Sequence, residues 1–246
     1  MRKREIFFAA VALLLFWEAA ALILQNPILP TPQRVAVSFL AELRDDLPGH
    51  FLSSLWRVAA STILAIALGA PAGLVLGQSQ WLNKTFSPVL YLLYPIPKVV
   101  FVPILLLFFG IGDLPKILII FLILFFQILV LVRDYSAAIR PELLMSVRSL
   151  GAGRRALFRF VYLPASLPAI LTALRQSVGT SVAVLYVAES FATQRGLGYY
   201  ISFNGSTLFD YPAMYAGIVA LSLLGLGLYF MVDWLERKLS PWLFVS

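Results

Sequence analysis

Of the side chains that act as nucleophiles, metal ligands or proton carriers, this 246-residue chain holds no cysteine and one histidine, His50. That excludes thiolate catalysis, disulfides and any cysteine or histidine metal centre, because a metal needs several such ligands converging. No G-x-x-x-x-G-K-[ST] run occurs, so the chain has no phosphate-cradling loop of that kind with which to hydrolyse ATP. Within its apolar segments there is no carboxylate pair, histidine cluster or serine–histidine arrangement, which argues against a membrane-embedded enzyme. No catalytic residue, cofactor or metal is therefore expected in this chain. What remains is a small set of polar groups in apolar surroundings: Lys98 after Pro97, Arg175 beside Gln176, Ser177, Thr180 and Ser181, and Glu189. Their chemistry is that of steering or binding a solute, or of holding helices together.

The elements that must position these groups are apolar. Hydrophobic residues make up 61% of the chain and charged residues only 13%, with a mean hydropathy of +0.89. A soluble domain carries about 25% charged residues, so half that share cannot keep a surface wet. Six apolar runs, at 6–24, 55–77, 86–109, 114–132, 167–187 and 214–232, are each long enough to span a bilayer. The expectation is an all-α, polytopic membrane protein of about six transmembrane helices, in one transmembrane domain over 1–246. Arg2, Lys3 and Arg4 precede the first run, which continues past the small residues Ala19 and Ala21 and is read as an uncleaved anchor.

Basic residues set the orientation. With a cytoplasmic N-terminus, Arg2, Lys3, Arg4, Lys84, Arg133, Arg140, Arg148, Arg154, Arg155, Arg159, Arg237 and Lys238 lie inside. Arg34, Arg44, Arg57, Lys116 and Arg195 lie outside. This satisfies the positive-inside bias, and the reverse orientation would violate it. Both termini are expected in the cytoplasm of a multi-pass protein of the inner (plasma) membrane. The net charge of +7 is thus explained by loops facing the cytoplasm rather than by nucleic-acid binding.

The third run contains Pro95, Pro97 and Pro103, each of which removes a backbone donor, so a straight helix is not expected there. A broken span sits inside a bundle or beside a wet cavity. Lys98 lies at that break, and a lysine at the bilayer centre costs ~2.5–3.5 kcal/mol. It could snorkel, form a neutralised pair, or attract an anionic solute into a cavity. The Arg175 stripe could pack helices or line the same path, so Pro97, Lys98, Arg175, Ser177 and Ser181 are the pathway candidates. Glu189 at the outer end of its run is expected to be solvated or paired. Asp233, Glu236, Arg237 and Lys238 are expected to form a solvated helix end.

The longest inner connection, 136–163, is the one inner loop large enough to fold by itself. Pro141 suits a first helical position and Glu142 favours the positive helix start. Leu143, Leu144, Val147 and Leu150 form an apolar stripe, and Gly151 stops the helix. A helix of about ten residues is marginal alone in water and is stabilised by docking, either on the membrane surface or in a groove of a cytoplasmic partner.

The stretch SVRSLGAGRRALFRFVYLP resembles the cytoplasmic coupling loop of ABC importer permeases. That family's pattern is Glu-Ala-Ala, three residues, Gly, nine residues, then Ile-x-Leu-Pro. Here Gly151 is followed after nine residues by Val161, Tyr162, Leu163 and Pro164, whereas Met145, Ser146 and Val147 stand where Glu-Ala-Ala is expected. ILPTPQRV, YPIPKVVFVPILLLFFGIGD, AES with RGLGYYI, and DWLERK follow in the order found in the nitrate/sulfonate/bicarbonate and taurine branch. The resemblance implies a type I ABC importer permease fold, with Met145, Ser146, Val147, Leu150, Gly151, Ala152, Gly153 and Arg154 in the ATPase-coupling helix and its flank. It further implies two ABC ATPase subunits that bind ATP and Mg²⁺, a second permease subunit (an identical copy or a paralogue), an extracytoplasmic solute-binding protein, and surrounding membrane lipid. The solute would be a small anion such as sulfonate, nitrate, bicarbonate or taurine. An ion-driven secondary transporter or channel is the competing class, but such proteins show paired broken helices in repeated halves, and only one span here is densely broken.

Overall fold

The computed structural model describes residues 3–191 and 193–241. Arg2, counted above with the inner charges, lies outside them, as do the side chains of Lys3 and Arg154. Every regular element among the described residues is helical: α1 (Lys3–Leu24), α2 (Pro32–Glu42), α3 (Leu47–Gln78), α4 (Gln80–Leu93), a 3₁₀ turn (Lys98–Phe101) and α5 (Val102–Phe109). They continue as α6 (Asp113–Ala137), α7 (Pro141–Ser149), α8 (Arg154–Leu157), a π turn (Phe158–Tyr162), α9 (Leu163–Ser190), α10 (Leu197–Phe203), a second π turn (Asn204–Leu208) and α11 (Tyr211–Leu239). Among the described residues five helices are long and apolar enough to cross a membrane; α4 with the 3₁₀ turn and α5 make a sixth if that bent pair is one span.

Helix α3 has 32 residues, roughly 48 Å at 1.5 Å per residue. A hydrocarbon core of about 30 Å leaves its ends outside the lipid. This is why the helix begins at Leu47, well before the apolar run at 55–77, and carries His50, Ser53 and Ser54 on its first turns. Expected and observed bounds differ in the same sense for α6, α9 and α11, whose polar ends continue the helix beyond the apolar stretch.

The chain forms two compact units. One comprises Met1–Ser54 and Glu189–Leu223. In it Trp17 of α1 donates its indole N–H to the Pro30 carbonyl at 3.0 Å and lies against Tyr215, with ring centroids 5.7 Å apart. Helix α2 has Pro32 at its start and buries Val35. The rest of α1 exposes Phe7, Phe8, Leu13, Leu15 and Phe16, as a lipid-facing helix should.

The other unit comprises Leu55–Ala188 and Leu224–Ser246. Its centre is the α3–α6 pair. Gly69, Gly73 and Gly77 recur every fourth residue on α3 and let the α6 backbone approach closely; a Cβ on Gly73 would sit 2.6 Å from the Leu129 carbonyl oxygen. Small-xxx-small rows of this kind join membrane helices, where lipid supplies no hydrophobic drive between them. The same pair is pinned by Arg57, whose guanidinium meets Asp113 at 2.7 and 2.8 Å, and by Ser61, which donates to the Ile117 carbonyl at 3.0 Å. Arg57 and Lys116, expected among outer charges, are both buried. A charge inside a bundle must be met by hydrogen-bonding groups, and Asp113 at the start of α6 does this for Arg57.

Candidate functional site: the coupling loop and the polar groups of the helices

Helix α7 is nine residues long with Pro141 in its first turn, Glu142 at its positive end and Arg148 in its last turn. Gly151 follows at φ +80°, and its N–H donates to the Arg148 carbonyl at 2.9 Å. This left-handed residue ends the helix as the sequence requires. Leu143, Met145 and Leu150 are exposed, Leu150 at 84%, and no residue of α7 is buried. The apolar stripe is thus formed, and of its four residues Leu143 and Leu150 are exposed while Leu144 and Val147 are half-buried. Met145, Ser146 and Val147 lie in α7, Leu150 caps it, Gly151 to Gly153 are the link, and Arg154 opens α8. Anchoring begins at Leu157 and Val161, both buried, and Pro164 sits in the first turn of α9.

The third span breaks where its prolines fall, with a bend of 76° between α4 and the following helical segment. Pro97 cannot donate to the Leu93 carbonyl, which lies four residues back. Lys98 supplies the missing donor: its ammonium reaches the carbonyls of Leu93, Tyr94 and Ile96 at 3.2, 2.9 and 3.4 Å. It also lies 4.7 Å from the Phe126 ring centroid. The cation therefore caps the negative end of α4 and is stabilised by it.

Arg175 joins two helices. It pairs with Asp233 at 3.3 Å and with Glu236, both on α11. Asp233 also accepts from Arg237 at 3.0 Å. The expectation of a solvated tail is corrected here for Glu236, which is buried, while Arg237 and Lys238 are exposed: the acidic face of α11 meets a cation on α9. Ser177 and Ser181, one helical turn apart, line an apolar cavity of about 320 Å³ with Val58, Thr62, Leu124, Leu174 and Val232. Their hydroxyls donate to the Ala173 and Val178 carbonyls at 2.6 and 2.7 Å, so only their lone pairs are left for the cavity. Lys98, Arg175 and the two serines thus have separate partners and do not form one cluster.

Of the two expectations for Glu189, solvated or paired, the solvated one fails: the residue is 0% exposed. Its carboxylate accepts from Ser54 and from the Gly198 amide. Burial pushes the neighbouring Tyr200 phenol up, so it stays neutral at any physiological pH. The Glu189–Ser54 and Arg57–Asp113 partnerships were not anticipated. The signal was a charge or hydroxyl within one or two turns of an apolar run; the partner lay far along the chain.

Long apolar helices, a proline-broken span and an exposed amphipathic helix in a basic loop define a polytopic helical membrane protein. Comparison with known proteins gives the family. The profile described as "Binding-protein-dependent transport system inner membrane component" matches residues 65–241. The taurine transport system permease protein TauC of Escherichia coli K12 is 32% identical over 240 residues, covering 95% of this chain and 87% of its own. The riboflavin transport system permease protein RibX of Chloroflexus aurantiacus is 33% identical, covering 94% and 87%. In structure, the chain is similar to the MetNI methionine ABC transporter in an inward-facing conformation, with a TM-score of 0.67 at 20% identity, covering 78% of this chain and 95% of that one. The chain belongs to the family of binding-protein-dependent transport system inner membrane components. It is a permease subunit of an ABC importer, multi-pass in the inner membrane, and it has the type I fold. This sets aside the ion-driven secondary transporter.

Proposed function

We propose that this permease pairs with a second permease subunit, either an identical copy or a paralogue, and docks two ABC ATPase subunits through α7. In this reading the termini are cytoplasmic and an extracytoplasmic binding protein delivers the solute. ATP and Mg²⁺ are bound by the ATPase subunits, and this chain needs no cofactor of its own. The observation that carries the reading is α7: a formed, capped amphipathic helix that exposes Leu143, Met145 and the capping Leu150 in a loop rich in arginine. Nucleotide binding closes the ATPase pair, α7 follows it, and the helices exchange inward-open for outward-open access.

The solute in this proposal is a small organic anion of the sulfonate kind, supported by the likeness to the taurine permease over nearly the whole chain. The comparable likeness to a riboflavin permease makes a flavin-like solute the second reading. Pro97, Lys98, Arg175, Ser177 and Ser181 are proposed to border the path. Lys98 does so as a cation held by backbone carbonyls, which leaves a positive bias in the local field, whereas Arg175, met by two carboxylates, shapes helices.

Two measurements test this proposal. The chain contains no cysteine, so Asp46→Cys and Asp210→Cys should react with an impermeant thiol reagent applied to intact cells, whereas Arg154→Cys should not. Labelling of the Arg154→Cys variant from outside would overturn the orientation. In proteoliposomes holding the whole complex, binding protein loaded with taurine should stimulate ATP hydrolysis more than the same protein loaded with riboflavin. The reverse order would favour the flavin reading.

A further inference from the structure

The start of α10 is held by a buried polar cluster built from three parts of the chain. Glu189, near the end of α9, accepts the Ser54 hydroxyl with its two oxygens at 2.9 and 2.8 Å and the Gly198 amide at 2.9 Å. The Ser54 oxygen in turn accepts the Leu197 amide at 2.8 Å, and His50 Nδ1 accepts the Gly196 amide at 3.0 Å. These are successive N–H groups at a helix start, which have no partner within their own helix. Side chains of α3 and α9 meet each of them, and a carboxylate is the charge that a helix start favours. Gly196 closes the turn over the cluster. Its φ is +117°, and a Cβ there would overlap the Glu189 carboxyl group, so only glycine combines this backbone with that approach. The rings of Tyr199 and Tyr200 lie 5.8 and 5.3 Å from His50 and cover one side.

A fully buried carboxylate that already accepts from a hydroxyl and an amide is poorly placed to meet a passing solute, least of all an anion. Its geometry is that of a clamp. Low-dielectric surroundings make such hydrogen bonds stiff, and losing one member leaves the others unsatisfied. The element it fixes is short: α10 has seven residues, too few to be stable alone.

We propose that Glu189 is a positioning residue: with Ser54 it clamps α10 onto the ends of α3 and α9, and so fixes the surface on which the solute-binding protein docks. The docking role rests on the importer reading above, with α10 on the outer face. The clamp itself rests only on the hydrogen bonds just given. Ser54 and Glu189 are themselves residues of α3 and α9, so in this proposal a movement of α10 bears on those helices through the clamp.

The test uses the intact complex in lipid nanodiscs, comparing wild type with Ser54→Ala, Glu189→Gln and Glu189→Ala. Amide hydrogen exchange over 197–203 reads the clamp. ATP hydrolysis as a function of loaded binding protein reads docking, and basal hydrolysis reads assembly. Ser54→Ala is the mild variant, removing one hydroxyl and leaving the carboxylate on Gly198. Exchange in α10 should accelerate about tenfold or more, since the hydroxyl's bond to a charged group and its acceptance of the Leu197 amide are both lost. The binding-protein concentration for half-maximal stimulation should rise by about the same factor at unchanged basal hydrolysis. Glu189→Gln, which keeps one acceptor oxygen, should fall between wild type and Glu189→Ala. Unchanged exchange in Ser54→Ala and Glu189→Gln would overturn the clamp. Accelerated exchange with unchanged half-saturation would overturn the docking role alone. Absence of stimulation in the wild type would overturn the importer reading and the docking role with it, while the exchange arm still decides the clamp.

Discussion

Gly151→Val should abolish most solute-stimulated ATP hydrolysis while leaving the permease inserted and folded. Gly151 stands at φ +80° immediately after α7, and no atom lies within 4 Å of where its Cβ would be. Steric room is therefore not the obstacle; the backbone is. A left-handed conformation costs a residue with a Cβ roughly 1–2 kcal/mol, and a β-branched one finds it hardest. Valine would shift Gly151 to an extended or right-handed conformation and swing the link 152–153 away from its present course. Loss of 1–2 kcal/mol from the docking-competent arrangement corresponds to roughly 5–30-fold in its population. Stimulated hydrolysis by the reconstituted complex should fall by that order. Gly151→Asn should be close to normal, because asparagine visits the left-handed region readily. Normal stimulation in the valine variant would remove the coupling role of this turn.

Arg175→Met should have the largest effect on stability. The substitution leaves Asp233 and Glu236 without the cation on α9 that both now face, and Glu236 is buried. Breaking a buried pair by removing one partner costs about 3–5 kcal/mol. Arg175 is one-third exposed and Asp233 one-quarter, so about 2–4 kcal/mol is the expectation here. In detergent, the midpoint of thermal unfolding should drop by ~5 °C or more. Arg175→Met combined with Glu236→Gln should recover part of the loss, since a neutral amide is cheaper to leave buried than a carboxylate. An unchanged midpoint in the single variant would mean that the ion pairs are not structural.

Much of this architecture is legible in the order of residues, and the reason differs from part to part. The apolar runs reveal the helices because lipid demands ~20 apolar residues per crossing. Pro95, Pro97 and Pro103 announce the bend because a proline lacks the donor that a helix needs. Pro141, Glu142 and Gly151 mark the limits of α7, since helix starts and ends are decided by neighbours in sequence. The partnerships are a different matter. Ser54 and Glu189 are 135 positions apart, Arg175 and Asp233 are 58 apart, and Arg57 and Asp113 are 56 apart. No local rule links them, so Glu189 stays open between a solvated and a paired reading, and Glu236 reads as solvated when it is buried. Lys98 lay between the two cases. Its acceptors are two to five residues away, but they become available only because the prolines have freed them. Gly69, Gly73 and Gly77 did carry a local signal, the fourfold spacing of small residues that brings membrane helices together.

The central claim is that α7 carries the contact with the ATPase subunits, and one measurement addresses it most directly. Leu150 is the most exposed leucine of that region, and the chain offers no competing thiol. Leu150→Cys in native membranes, treated with a short thiol-to-amine cross-linker, should give a single dominant adduct. Mass spectrometry should identify its partner as an ATPase bearing a P-loop, and the yield should change when ATP is added, as a contact that follows ATPase closure must. Asp210→Cys, treated alongside, should give no such adduct. Failure of the Leu150→Cys variant to capture an ATPase in a complex that still hydrolyses ATP, or equal capture by Asp210→Cys, would contradict the assignment of α7 as the coupling helix.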